Sequence, residues 1–507
     1  MNLRIERLAP LIILLPVLAY WPVSLGGNVI FGDEGFYAAM GRYMATTGDY
    51  PVWDPYISTA AYQQPNGRQP LYITLNSGLW LIGGELAIKL ALPLLAALTG
   101  LALYLLLART AGQVAGLAGG LILVSSAGFV TYGVLDYVEV FNTLLFVLAV
   151  LFASTGRTTK HWLLTGLFAG LAALTDITGV FVLPLLAVIL AVRYRRDAIR
   201  PLLLVAAVAL AITAPWLLRN VVLFSSPCIP PFGGCLSRTL TELPSTAYSF
   251  TSNVAQAGTG AGILSIGWLN YFGFAFGLSV FLLLLFGLAA LPRARETWLF
   301  IVPWLLLFIL LTVQQGVWGG RSEDVPRFTL FAFPAVAATG GLFVASAYKF
   351  LARWHVWLGV ALIAVLLIVL WPGVSSKLAT MQQVKAFAPG FLTGCEWVKA
   401  NTQADALIFT IYQHHMTYAC DRRGFSPTEV PDGAAIALSN NDTAWEHLRL
   451  HGTSYVMIAQ FTISQQALGE TVTPAFLNYL ETSSHFKKVY DNTASFGTSG
   501  IILYEVL

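Results

Sequence analysis

The spacing of apolar segments constrains this chain more than any other feature. From Leu3 to about Pro372 it is a succession of apolar stretches separated by short polar joints. A helix needs about 20 apolar residues to cross the hydrocarbon layer. Inside that layer every backbone polar group must be satisfied within its own segment, so each span is a helix. About 11 spans are expected, near 8–27, 86–107, 113–131, 137–154, 162–177, 178–193, 200–218, 262–291, 297–315, 328–348 and 356–372. The first reads as a span rather than a cleaved signal, since no small-residue cleavage site follows it. Only 10% of the residues are charged, against about 25% in a soluble domain, which excludes a soluble or disordered chain. The net charge of +3 gives no reason to expect a nucleic-acid partner. The reading is a polytopic α-helical membrane protein.

Orientation follows from the bias of Lys and Arg toward cytoplasmic loops. With the N-terminus cytoplasmic, the inside joints hold Arg4, Arg7, Arg109, Arg157, Lys160, Arg193, Arg195, Arg196, Arg200, Arg293, Arg295, Lys349 and Arg353. Basic residues outside are sparse. The segment Pro70–Gly84 is apolar but short and carries Asn76 and Ser77 in its middle. Counting it as a span would invert every later loop, so it is expected to lie as a helix at the outer interface. An odd span count then puts residues 373–507 on the exoplasmic side. That region has mixed polarity and alternating helix and strand patterns: a helix near 391–400 and strands at Ala406–Ile411, Ser454–Ile458 and Gly500–Val506. A small exoplasmic α/β domain is expected there. The chain thus divides into a membrane module, 1–372, with a long first outer loop at 31–85, and a soluble domain, 373–507. All four cysteines fall outside, which favours two disulfides over four free thiols, with Cys228–Cys235 and Cys395–Cys420 the local pairing among three possible.

The chemistry-bearing residues cluster in the first outer loop. Asp33 and Glu34 stand where the first span emerges, at the start of a short helical stretch, with Arg68 and several aromatic residues following. A carboxylate there could take a proton from an attacking hydroxyl while cations hold a phosphate leaving group. An Asp at a helix start also serves as an ordinary cap, and composition alone favours that reading.

Four motifs resemble the GT-C superfamily of polyprenyl-phosphate-sugar-dependent glycosyltransferases, nearest to its protein O-mannosyltransferase and lipid A aminoarabinose transferase branch. Asp33-Glu34-Gly35-Phe36-Tyr37 with Thr47-Gly48-Asp49 is similar to the family's Asp-Glu loop. Arg68-Gln69-Pro70-Leu71-Tyr72, followed by Lys89 to Pro93, resembles its Lys-Pro-Pro-Leu-Tyr and Arg-Leu-Pro stretches. Gly166–Thr175 and Pro215-Trp216-Leu217-Leu218-Arg219-Asn220 resemble its Gly-Leu-Ala-x-Leu-Thr-Lys helix and Pro-Trp-x-x-Arg-Asn motif. Arg327-Phe328 with Pro334 resembles an Arg-Phe/Tyr element that opens a later span.

The resemblance implies a GT-C fold and inverting transfer of a sugar from a polyprenyl phosphate to an acceptor hydroxyl on protein, lipid or glycan. It implies Asp33 as the catalytic carboxylate and Glu34 as its support or an acceptor contact. Arg68 would bind the lipid phosphate. Asp136 would be the second acidic position, with Glu139 as an alternative one turn away. Arg219 and Arg327 would touch phosphate or sugar. Phe36 stands where aminoarabinose transferases carry Arg, which argues against that specificity. Asp176 stands where many members have Lys.

The donor bond already holds the energy for transfer, so no nucleotide site is needed, and none is legible. A divalent cation, Mg or Mn, stays open because GT-C branches differ. His447 and His451 are four apart on an expected helix, but no third metal ligand is indicated. Gly119-Gly120 and Gly340-Gly341 lie in spans and read as helix packing. The competing functions are a lipid-linked-glycan flippase or transporter and a non-catalytic GT-C homologue. A transporter would place charge near the bilayer midplane and repeat its halves, and neither feature is evident here.

Overall fold

A computed structural model describes residues 5–27, 33–228, 238–240, 287, 295–317, 327, 329–386, 389–427, 430–433, 436, 441–459 and 474–507. The membrane part is helical: α1 (Ile5–Leu18), α2 (Tyr20–Gly26), α3 (Glu34–Thr47), α4 (Pro70–Thr110), α5 (Gln113–Ser125), α6 (Ala127–Tyr132), α7 (Val138–Thr155), α8 (Thr159–Thr175), α9 (Val182–Tyr194), α10 (Ile199–Phe224), α11 (Arg295–Val317), α12 (Phe333–Ala352) and α13 (Val356–Ala386). Helices stand where the apolar pattern placed them, except that most of 262–291 lies outside the described residues. Among the described residues, 6 helical stretches are long and apolar enough to cross a membrane. The 48-residue stretch Ile177–Phe224 contains both α9 and α10.

The Pro70–Gly84 segment forms the first part of α4. The helix breaks at Gly83 and at Gly84, whose φ of 61° is a conformation open chiefly to glycine. Pro70–Ile82 therefore leaves the axis of the following span, and Leu81 and Ile82 are left exposed. Small residues bring α5 and α12 together: a Cβ at Gly341 would lie 2.6 Å from the Ala115 carbonyl oxygen. One large apolar cluster runs through α1, α4, α5, α7, α8, α9 and α12. Within it the Trp304 indole of α11 donates to the Phe331 carbonyl at 3.1 Å, so its buried N–H is satisfied.

Helix α13 runs through Pro372 to Ala386 without interruption, across the boundary expected at 372. Beyond it stand α14 (Pro389–Asn401), α15 (Gln413–Ala419), α16 (Asp442–His451) and α17 (Pro474–Thr482), with a five-stranded sheet. Its strands are β3 (Leu407–Phe409), β4 (Arg423–Phe425), β5 (Tyr455–Ala459), β6 (Phe486–Asp491) and β7 (Ile501–Val506), in the order β4-β3-β5-β7-β6. The first three are parallel and β6 and β7 antiparallel, so the sheet is mixed. Strands β4 and β6 are additional to the sequence expectation. The pair β1 (Tyr62–Gln63) and β2 (Arg238–Thr239) ties the first outer loop to a later one. Cys395 and Cys420 form a disulfide joining α14 to the end of α15. Cys235, the expected partner of Cys228, lies outside the described residues.

Candidate active site

Asp33 immediately precedes α3, and Glu34 is the first residue of that helix. Consecutive residues at a helix start point about 100° apart, so the two adjacent carboxylates diverge. The sequence treated them as one unit; the structure gives them to two separate clusters.

The outward cluster is built on Asp33. Its backbone N–H donates to Tyr137 Oη at 3.1 Å, which sets the turn into α3. Its Oδ2 lies 2.6 Å from Arg327 Nη2 and 3.9 Å from Arg68 Nη1. Arg327 also pairs through Nε with Glu139 Oε1, and its guanidinium sits 4.6 Å from the centre of the Tyr137 ring. Arg68 lies 4.1 Å over the Phe36 ring, and Tyr50 Oη holds the Arg68 carbonyl at 2.9 Å. Among the described residues Asp33 Oδ1 has no hydrogen-bond partner, and the side chain is 23% exposed. Burial alone would raise the Asp33 pKa. Arg68, Arg327 and His414 outweigh it and hold the carboxyl well below the usual range. Arg68 is the most open cation of the group, at 41% exposed.

The inward cluster is sealed. Glu34 is fully buried, and its Oε1 accepts from the Asp136 N–H at 2.8 Å and from Lys385 Nζ at 3.3 Å. Asp136, also fully buried, accepts from Tyr72 Oη at 2.7 Å and Asn76 Nδ2 at 3.0 Å. Asn76, the polar interruption in the apolar Pro70–Gly84 segment, is thus there for Asp136. Glu34 and Asp136 brace the site from behind, and neither presents an open carboxylate to a substrate in this conformation.

Arg219 is not brought to the Asp33 cluster. It donates to the Pro51 carbonyl at 3.1 Å and to Asn220 Oδ1 at 3.0 Å, and stacks on Trp216 at 4.5 Å. These bonds brace the outer loop, and Arg219 approaches the cluster through Tyr50, whose ring lies 5.4 Å from its guanidinium. Asp176 caps the turn after α8, accepting from Thr178 N at 2.8 Å. His447 and His451 both bind Asp432, and His451 Nδ1 meets Thr59 Oγ1 at 2.7 Å. They staple the C-terminal domain to the first outer loop.

Among the described residues no three His, Cys, Asp or Glu side chains could hold a metal ion. Arg327 occupies the space between Asp33 and Glu139, where a shared ion would have to sit. In this arrangement Arg327, not an ion, bridges the two carboxylates. An apolar cavity of about 500 Å³ runs between α8, α9 and α10, lined by Leu174, Leu186, Leu190, Val205 and Ala206. Its wall includes Gln69, next in sequence to Arg68. Lys385 and His414 were missed by sequence reasoning. Neither belongs to a motif, and only the docking of the C-terminal domain brings them here.

Comparison with known proteins agrees with this architecture. Residues 74–218 match the family described as dolichyl-phosphate-mannose-protein mannosyltransferase. No curated protein matches the sequence. The apo oligosaccharyltransferase of Archaeoglobus fulgidus superposes with a TM-score of 0.66 at 14% identity, covering 95% of this chain and 73% of that one. The same organism's AglB, in complex with an inhibitory peptide and a dolichol-phosphate, gives 0.64 at 12% identity, with coverage of 95% and 73%. ArnT from Cupriavidus metallidurans bound to undecaprenyl phosphate gives 0.60 at 14% identity, with 98% of this chain and 97% of that one covered. The fold is the one these solved structures share.

Proposed function

We propose that this chain is an integral-membrane inverting glycosyltransferase that moves a sugar from a polyprenyl-phosphate donor to an acceptor hydroxyl. One observation carries the reading: Asp33 has one oxygen clamped by cations and the other open, and Gln69, next to the clamping Arg68, lines an apolar cavity of lipid-chain character. The likeness to AglB and ArnT, whose structures hold dolichol-phosphate and undecaprenyl phosphate, supports the same donor class here.

The chemistry follows from the charges. The polyprenyl chain lies in the cavity, and its phosphate meets Arg68, the most exposed cation. The acceptor hydroxyl donates to Asp33 Oδ1, which aims the oxygen lone pair at the anomeric carbon. As the new C–O bond forms, the hydroxyl proton passes to a base beside Asp33, and the bond from the anomeric carbon to phosphate breaks with its electron pair leaving on the phosphate. Arg68 and Arg327 supply positive charge that stabilises this dianion. Glu139 holds Arg327 in place, and Glu34 with Asp136 fixes the helix start that carries Asp33. The site and residues 373–507 face the exoplasm of the cell membrane, with the N-terminus in the cytoplasm.

Purified protein incubated with undecaprenyl-phosphate sugars tests this reading. Transfer should require Asp33 and be abolished by Asp33→Asn. Lipid flipping without transfer, or full transfer by Asp33→Asn, would sink it.

A further inference from the structure

The C-terminal domain supplies a side chain to this site that no motif announces. Helix α15 lies directly on α3: a Cβ at Gly35 would come within 2.2 Å of the His414 carbonyl oxygen, so the two backbones touch. Asp33 and Phe36 are three residues apart and share a face at the start of α3. The His414 ring meets Phe36 edge-on at 5.4 Å, on the same aromatic ring that carries Arg68 at 4.1 Å. His414 is half-buried, and among the described residues no hydrogen bond engages its ring.

The nucleophilic hydroxyl must lose a proton as it attacks. Asp33 orients that hydroxyl, yet a carboxylate held by two guanidinium groups is a weak proton acceptor. A second, more basic group on the same face meets the requirement. We propose that His414 is a catalytic residue of the acceptor side, its neutral imidazole taking the proton of the hydroxyl that Asp33 orients. The proposal rests on the glycosyl-transfer reading above. In the step, the acceptor O–H bond breaks and its proton passes to an imidazole nitrogen. The oxygen bonds to the anomeric carbon, and the phosphate leaves with the electron pair of the broken C–O bond. The imidazolium then returns its proton to water.

The charged and titratable groups facing His414 are Asp33, Arg68, Arg327 and the adjacent His415. Burial depresses its proton affinity most, Asp33 raises it and the two arginines lower it, leaving a pKa of about 4. The imidazole is therefore neutral at neutral pH, with a lone pair to offer. Its function is lost as pH falls through that value.

The test uses the full chain in nanodiscs, with undecaprenyl phosphate carrying mannose, glucose, galactose or arabinose as donor and methanol as acceptor. His414→Ala should lower kcat by about 10²–10⁴-fold, the range for a lost general base, with donor KM unchanged. Added imidazole should restore part of the rate, and the acid limb near pH 4 should vanish from the residual activity. His414→Phe, which keeps the aromatic packing on Phe36, should lose as much rate while retaining the wild-type Tm. A His414→Ala protein with wild-type rate and pH profile overturns the proposal. So does a lost rate that imidazole leaves unrestored, because that marks a packing role. If wild-type protein transfers no sugar from any donor, the glycosyl-transfer reading falls and His414 with it; transfer that is indifferent to His414 sinks this inference alone.

Discussion

Lys385 Nζ lies 3.3 Å from Glu34 Oε1, and Glu34 is the residue that follows Asp33. The pair joins the far end of α13 to the first turn of α3 with both side chains all but fully buried. Removing one partner of a buried ion pair strands a charge and typically costs about 3–5 kcal/mol. Lys385→Met should therefore lower the thermal midpoint sharply in detergent. Pairing it with Glu34→Gln should recover much of the loss, since the stranded charge is then gone. Equal destabilisation of single and double variants would show that the two residues do not act on each other.

Arg327 is shared between Asp33 and Glu139, so its removal unbalances both. Arg327→Gln should reduce kcat by about 10²–10³-fold, the usual cost of removing one donor that stabilises transition-state charge. Asp33 should move with it. Arg327 is among the groups that hold the Asp33 pKa down against burial, so without it the pKa rises. Asp33 must be ionised and His414 neutral for transfer, and Arg327 holds down the pKa of both, so loss of activity in acid should begin at higher pH in the variant. A pH–rate series on both proteins measures this; an unmoved or lowered acid limb contradicts the assignment.

The helical plan was legible because a bilayer imposes one rule on every span, and that rule is written in local hydropathy. The positions of Asp33, Arg68 and Arg327 were legible as motifs whose spacing survives in sequence. What was hidden depends on direction and on distant contacts. That Glu34 turns inward follows from the 100° step of a helix, which adjacency in sequence conceals. Arg219 matches a motif, yet it sits away from Asp33, on Pro51 and Asn220. Lys385 and His414 lie in ordinary polar sequence, and they reach the site only because α13 stays unbroken past Pro372 and α15 packs on α3. Strands β4 and β6 escaped for a related reason. β4 is only three residues long, and β6 is an edge strand with exposed lysines in place of an apolar run.

Ala187 and Ala206 line the apolar cavity with small, exposed side chains, so enlarging them costs the fold little. Ala187→Trp or Ala206→Trp should fill space that a polyprenyl chain would use. The KM for an undecaprenyl-phosphate sugar should rise about tenfold or more, roughly the effect of losing one or two buried methylenes of contact. A donor with a single short isoprenoid chain should be affected less. Comparison of KM for long and short donors decides the matter, and equal effects would place the lipid elsewhere.

Asp432 is the acceptor shared by His447 and His451, and His451 in turn meets Thr59 of the first outer loop. Burial opposes ionisation of Asp432, but the hydrogen bonds and charges of the two histidines outweigh it and hold its pKa below the ordinary carboxylate value. Asp432 is thus ionised more readily folded than unfolded. Its contribution to stability is complete above the unfolded pKa of about 4 and is lost as pH falls through the lower folded value. Asp432→Asn removes that contribution, leaving two buried imidazoles with a neutral partner that can accept on only one oxygen. The variant should melt earlier than wild type at pH 7, by a margin that shrinks as pH is lowered below about 4. It should also make the first outer loop easier to cleave, because His451 is one of the ties between that loop and the C-terminal domain, beside those from Arg423 to Ser58 and from the Gly424 N–H to Tyr56. Melting curves at several pH values, with limited proteolysis of residues 49–69, measure both effects; a margin that widens in acid would mean that Asp432 is not held ionised by its histidines.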